Sequence, residues 1–132
     1  MKLTKKKIEE LAYKILDFLT DRGIDEDVCI YFNDKRIRLE YSYKDLSAPP
    51  KLIVEENICP LKYFEYAAHN HILSMSFEGG LYDCINYGNG GVYDKLQNIF
   101  DNYGLYFELG NAWNLTAYPT NDDLEVEYTI YE

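Results

Sequence analysis

A chain of 132 residues, 47% apolar and 27% charged, suits one hydrophobic core and is short for two, so a single domain over residues 1–132 needs no metal or disulfide to hold it. No apolar run approaches the roughly 18 residues of a membrane span, and the basic start at Lys2, Lys5, Lys6 and Lys7 leads into an amphipathic pattern rather than a signal's apolar stretch; the expected compartment is the cytoplasm. The net charge of −10 lies wholly in residues 63–132, where Lys95 alone opposes eleven acidic residues, and this argues against phosphate-directed nucleic-acid binding by that half.

In chain order, Thr4 is placed to cap a helix running to Arg22. Ile8, Leu11, Ala12, Ile15, Leu16 and Leu19 form its apolar stripe, and Gly23 forms its stop. Val28 to Phe32 alternates as a strand, with Val28, Ile30 and Phe32 on one face. Asn33-Asp34-Lys35 reads as a turn and 36–43 as the returning strand, with Ile37, Leu39, Tyr41 and Tyr43 inward. Residues 46–58, with Pro49-Pro50, suit a connection holding a short edge strand. Pro60 opens a predicted short helix to residue 68, on which Leu61, Phe64 and Ala68 share a side.

Ile72 to Phe77 reads as a strand ending at Gly79-Gly80, 81–87 as a short helix and 88–91 as a glycine loop. A helix then runs from Val92 to Tyr103, marked by Val92, Leu96, Ile99, Phe100 and Tyr103. A second hairpin turns at Gly110-Asn111, with Leu105, Phe107 and Leu109 facing Trp113, Leu115 and Ala117. Leu124, Val126, Tyr128 and Ile130 alternate as a last strand. The order helix, glycine, strand, turn, strand thus occurs at 4–43 and again at 92–118, with slight identity between the two. The predicted class is α+β: a mainly antiparallel sheet of two hairpins plus a C-terminal strand, with helices near 4–22, 60–68 and 92–103 on one face.

Chemistry-bearing patterns are few. Cys29, Cys59 and Cys84 are odd in number and widely spaced, which argues against a disulfide framework or zinc ribbon. Cys84 adjoins Asp83, a poor neighbour for a thiolate, Cys29 sits mid-strand, and Ser74 and Ser76 lack a nucleophile elbow. Gly88-Asn89-Gly90-Gly91 precedes a helix but has Asp83 and Asp94 beside it and no P-loop spacing. His69 and His71, two apart, project from one side of a strand, form the only histidine cluster and are metal-ligand candidates, with the Asp122–Glu127 carboxylates a lesser alternative; a third and fourth ligand for the histidines are not evident. Asp122, Asp123, Glu125 and Glu127 match no calcium-loop spacing. No cofactor and no catalytic residue is implied.

The acidic pairs carry more. Glu125 and Glu127 share a strand face with Thr129 and Tyr131, and Tyr106, Glu108, Asn114, Thr116 and Tyr118 take the outward positions of the preceding hairpin. If these strands pair, Tyr106, Glu108, Thr116, Tyr118, Glu125, Glu127 and Tyr131 form one face of carboxylates and tyrosines without a cation. The plain reading is a solvated outer face; the functional one is an interaction surface for a basic partner.

Residues 71–79 (HILSMSFEG) and 103–115 (YGLYFELGNAWNL) resemble a group of short bacterial proteins associated with phages and mobile elements, for which the resemblance implies no activity. In size and acidity, though not in motif, the chain is similar to anti-restriction and anti-CRISPR inhibitors. The expected function is therefore a non-catalytic protein-interaction module, in its sharper form an acidic inhibitor or nucleic-acid mimic of a basic nucleic-acid-binding protein. The alternatives are a small metal- or ligand-binding domain or enzyme using His69, His71 and nearby carboxylates, and a structural homo-oligomer. Neither a membrane nor nucleic acid itself is an expected partner, and the sequence pattern fixes no oligomeric state.

Overall fold

The computed structural model describes residues 2–45, 47–64, 67 and 69–131. After a two-residue strand β1 (Lys2–Leu3), helix α1 spans Lys5–Asp21, and the Thr4 hydroxyl caps it by accepting the Lys7 N–H at 3.2 Å. The stripe from Ile8 to Leu19 is buried, as its spacing predicts, and Gly23 ends the helix at φ 67°. The first turn of α1 contains lysines and no acid, the wrong charge for a helix N-terminus. Glu127 offsets this from far along the chain: its Oε1 accepts the Lys5 N–H at 3.2 Å.

Strands β2 (Val28–Phe32) and β3 (Lys35–Glu40) form the first hairpin, and Asn33 and Asp34 at φ 48° and 65° supply its type I′ turn. The returning strand stops at Glu40, three residues before the expected end. Tyr41 and Tyr43 are consequently not inward, and Tyr43 is 96% exposed. The Tyr41 hydroxyl instead donates to the buried carboxylate of Asp25, which helps push its pKa up to about 12. Strand β4 (Lys51–Glu55) returns along β3 as the expected edge strand.

Only one 3-10 turn, Pro60–Lys62, stands where a helix to 68 is predicted; residues 65, 66 and 68 of that span lie outside the described ones. Strands β5 (Asn70–His71) and β6 (Leu73–Phe77), helices α2 (Gly80–Tyr87) and α3 (Val92–Asp101), and strands β7 (Leu105–Asn111) and β8 (Asn114–Pro119) follow. Between α2 and α3 the glycine run forms a 3-10 turn, Asn89–Gly91.

The second hairpin turns at Ala112-Trp113 rather than at Gly110-Asn111, and the register shifts between Leu109 and Asn111. Two asparagine side chains set that turn: Asn111 Oδ1 accepts the Trp113 N–H at 2.9 Å, and Asn114 Oδ1 accepts the Asn111 N–H at 3.1 Å. Trp113 is therefore 38% exposed at the tip and Leu109 is also exposed, whereas Leu105, Phe107, Leu115 and Ala117 are buried as expected.

The six main strands lie in the order β4-β3-β2-β6-β8-β7, every neighbouring pair antiparallel. One face carries Val28, Ile30, Phe32, Ile37, Leu73, Met75, Phe77, Phe107 and Leu115 against the three helices and forms the core. The C-terminal strand does not join this sheet. It splits into β9 (Glu125–Val126), parallel to β1, and β10 (Thr129–Ile130), antiparallel to β5. The change of partner reverses the alternation, so Thr129 and Tyr131 are buried and Ile130 is exposed. No helix among the described residues is long and apolar enough to cross a membrane.

Candidate interaction surface

On the sheet face opposite the helices, β7 and β8 set Tyr106 across from Tyr118 and Glu108 across from Thr116. The two tyrosine rings lie 5.9 Å apart, tilted by 38°, which holds each in one orientation without covering it. Tyr106 is 37% exposed, Glu108 is exposed and Tyr118 is half-buried. Burial raises the pKa of the Tyr118 hydroxyl, assisted by the charge of Glu108, so at neutral pH the ring presents a protonated donor beside a carboxylate. A hollow of about 230 Å³ lies between Glu108, Leu109, Gly110, Thr116 and Tyr118.

Charge around this patch is one-sided. Among the described residues, all four ion pairs fall between Lys35 and Glu56: Arg36 grips Glu55 through two bonds of 2.9 and 2.7 Å, Arg38 reaches Glu55 and Glu40, and Lys35 approaches Glu56. Arg36 and Arg38 are thus engaged at home, and the Arg36 fork holds the Glu55 carboxyl below its ordinary pKa. No described ion pair involves Glu108.

The other residues expected on this face go elsewhere. Thr116 stands opposite Glu108 but is buried, its hydroxyl 2.9 Å from Ser74 Oγ. Tyr131 is buried with its ring edge-on to His71 at 5.9 Å. Glu125 is exposed on β9, away from the β7–β8 hairpin, and Glu127 is committed to the start of α1. The face of seven residues becomes a cluster of three, Tyr106, Glu108 and Tyr118, because the last strand pairs with β1 and β5 and Thr116 is buried against Ser74.

The two histidines have separate surroundings. His69 is exposed and its Nδ1 donates to the Tyr131 carbonyl at 3.1 Å. His71 is buried, with Nε2 2.8 Å from Ser74 Oγ, and burial lowers its pKa to about 4. A serine within hydrogen-bond reach of an imidazole has the form of a nucleophile and its base, but here Ser74 is fully buried and His71 is 1% exposed. His71, Ser74 and Thr116 instead make a buried polar seam across β6 and β8. No group of three His, Cys, Asp or Glu side chains placed to hold a metal occurs among the described residues.

Two features escape sequence reasoning. Gln97 of α3 donates to the Phe107 carbonyl at 3.0 Å and accepts the Phe107 N–H at 3.2 Å, filling the outer side of β7 as a strand would. Phe64 packs edge-on to Tyr31 at 4.8 Å and near Trp113 at 6.4 Å, covering the middle of the sheet's second face. No protein-family model matches the chain, and no curated protein or solved structure is detectably similar to it. The resemblance of residues 71–79 and 103–115 to mobile-element proteins gains no support from these comparisons.

Proposed function

We propose that the chain is a non-catalytic protein-interaction module whose β7–β8 face, centred on Tyr106, Glu108 and Tyr118, receives a basic partner of the kind that binds nucleic acid. The observation that carries this reading is a tilted tyrosine pair, one ring exposed and one half-buried, beside a carboxylate that joins no ion pair among the described residues, in a half of the chain with Lys95 as its one Lys or Arg. Tyrosine supplies stiff contact area, and unopposed carboxylates steer a Lys/Arg-rich groove toward it. In its inhibitory form the module occupies a groove otherwise filled by phosphates, so duplex DNA competes with it.

The test is affinity capture from lysate of the source cell, with the unaltered chain beside a Tyr106→Ala, Glu108→Lys double variant, washed with rising salt and with duplex DNA. The expected result is a captured nucleic-acid-handling protein that the double variant fails to retain and that salt and DNA both release. Equal retention by the variant, or retention indifferent to salt, removes the reading.

A further inference from the structure

The two edges of the six-stranded sheet are finished differently. At β7 the Gln97 carboxamide occupies the backbone of Phe107, whereas among the described residues nothing pairs with the outer side of β4. An open edge is a template for another strand, and proteins ordinarily cover, charge or shorten it. Beside this edge Leu52 and Val54 are 42% and 43% exposed on the sheet face that α1 covers farther in.

The register fixes which groups point outward. The two-residue turn makes Phe32 and Lys35 a hydrogen-bonded pair, so Lys35, Ile37 and Leu39 bond toward β2, and Arg36, Arg38 and Glu40 bond toward β4. Their partners Glu55, Ile53 and Lys51 bond inward, which leaves the N–H and C=O groups of Leu52 and Val54 on the open side.

We infer that β4 is a self-pairing edge, joining two copies of this chain antiparallel about a two-fold axis at Ile53. In that register Leu52 of each copy meets Val54 of the other, and these are the residues with outward backbone groups, so four interchain hydrogen bonds form. Ile53 faces its own copy, and Lys51 faces Glu55 of the second chain, opposite charges directly across the strands. Neighbouring registers lose this match. A shift centred on Leu52 sets Pro50, which has no N–H, against Val54; a shift centred on Val54 sets Glu55 against Ile53. The symmetry is isologous, and the two sheets become one continuous sheet with both helix layers on the same side. This pairing is independent of the β7–β8 reading, since the two surfaces lie at opposite edges.

The experiment measures the solution mass of the full chain by light scattering at tens of micromolar, beside Val54→Pro. The register points the Val54 N–H away from β3, so proline at this edge position leaves the β3–β4 ladder intact while removing two interchain bonds. Far-UV circular dichroism confirms that the variant is folded. The expected result is a two-chain mass for the unaltered protein and a one-chain mass for the variant. In parallel, Ile53→Cys gives a disulfide-linked pair under mild oxidation, whereas Lys51→Cys and the native thiols do not. A one-chain mass for the unaltered protein overturns the inference, as does a two-chain mass that survives Val54→Pro or a failure of Ile53→Cys to cross-link.

Discussion

The two ends of the sheet are built from the same parts and left in opposite conditions. Each is a helix followed by a hairpin, α1 with β2–β3 and α3 with β7–β8. At the β3–β4 end Arg36 and Arg38 are spent on local carboxylates, and among the described residues no strand pairs with the edge backbone. At the β7 end a glutamine fills the edge at Phe107, and tyrosines and a carboxylate stand out from the face. One end therefore offers main-chain hydrogen-bonding groups at its edge, and the other offers side chains on its face. Net charge alone does not separate them; the placement of Arg36, Arg38 and Gln97 does.

The largest effect should come from removing burial at the β7 end. Phe107 is buried between Tyr93 and Phe100, with ring separations of 5.1 and 5.4 Å, so Phe107→Ala should cost about 3–5 kcal/mol in a denaturant melt. Leu39→Ala, at a half-buried position toward the open edge, should cost well under half as much. Comparable losses would mean that the ends are equally packed.

Next is the seam between the ends. His71 has a folded pKa of about 4 against an ordinary 6.5, so the folded state binds fewer protons than the unfolded one across that window. Its stabilising contribution is complete above pH 6.5 and falls as pH drops toward 4, by about 3 kcal/mol in all. Thermal melts from pH 7 to 4 should show this loss, and His71→Gln should flatten it. The depressed Glu55 carboxyl acts lower, its contribution being lost as pH falls below the ordinary carboxylate value. A loss that appears only below pH 4.5 would assign the acid sensitivity to the β3–β4 end instead.

The smallest change is the sharpest for the comparison. Gln97→Ala removes two hydrogen bonds and should cost about 1–2 kcal/mol, while freeing the β7 edge for pairing. Concentration-dependent association beyond that of the unaltered chain should appear by light scattering. Unchanged association would mean that Gln97 stabilises β7 without guarding it.

Much of the fold is legible in the sequence because it is local. The α1 stripe, the Asn33-Asp34 turn, the antiparallel α+β plan and the β7–β8 pairing all follow from spacing. What is not legible depends on partners distant in the chain. Alternation runs on past Glu40 and gives no sign that Tyr41 will be drawn to Asp25, and it cannot say that Leu124 to Ile130 will divide between β1 and β5. Glycine predicts a turn at 110–111, but the asparagine side chains that immediately flank the tip, Asn111 and Asn114, move it to 112–113. The candidate site shrinks for the same reason: Thr116 and Tyr131 have outward phase on a strand, yet His71 and Ser74 bury them, and Glu127 answers a helix that begins 122 residues earlier.

The most direct test of a localised surface compares two reversals of equal charge. Glu108→Lys and Glu125→Lys change the net charge identically, and both residues are exposed, one beside the tyrosine pair and one on β9. Partner capture at low salt should be lost with Glu108→Lys and kept with Glu125→Lys. Equal losses from both would show that bulk acidity, and not the β7–β8 face, holds the partner, and would contradict the account.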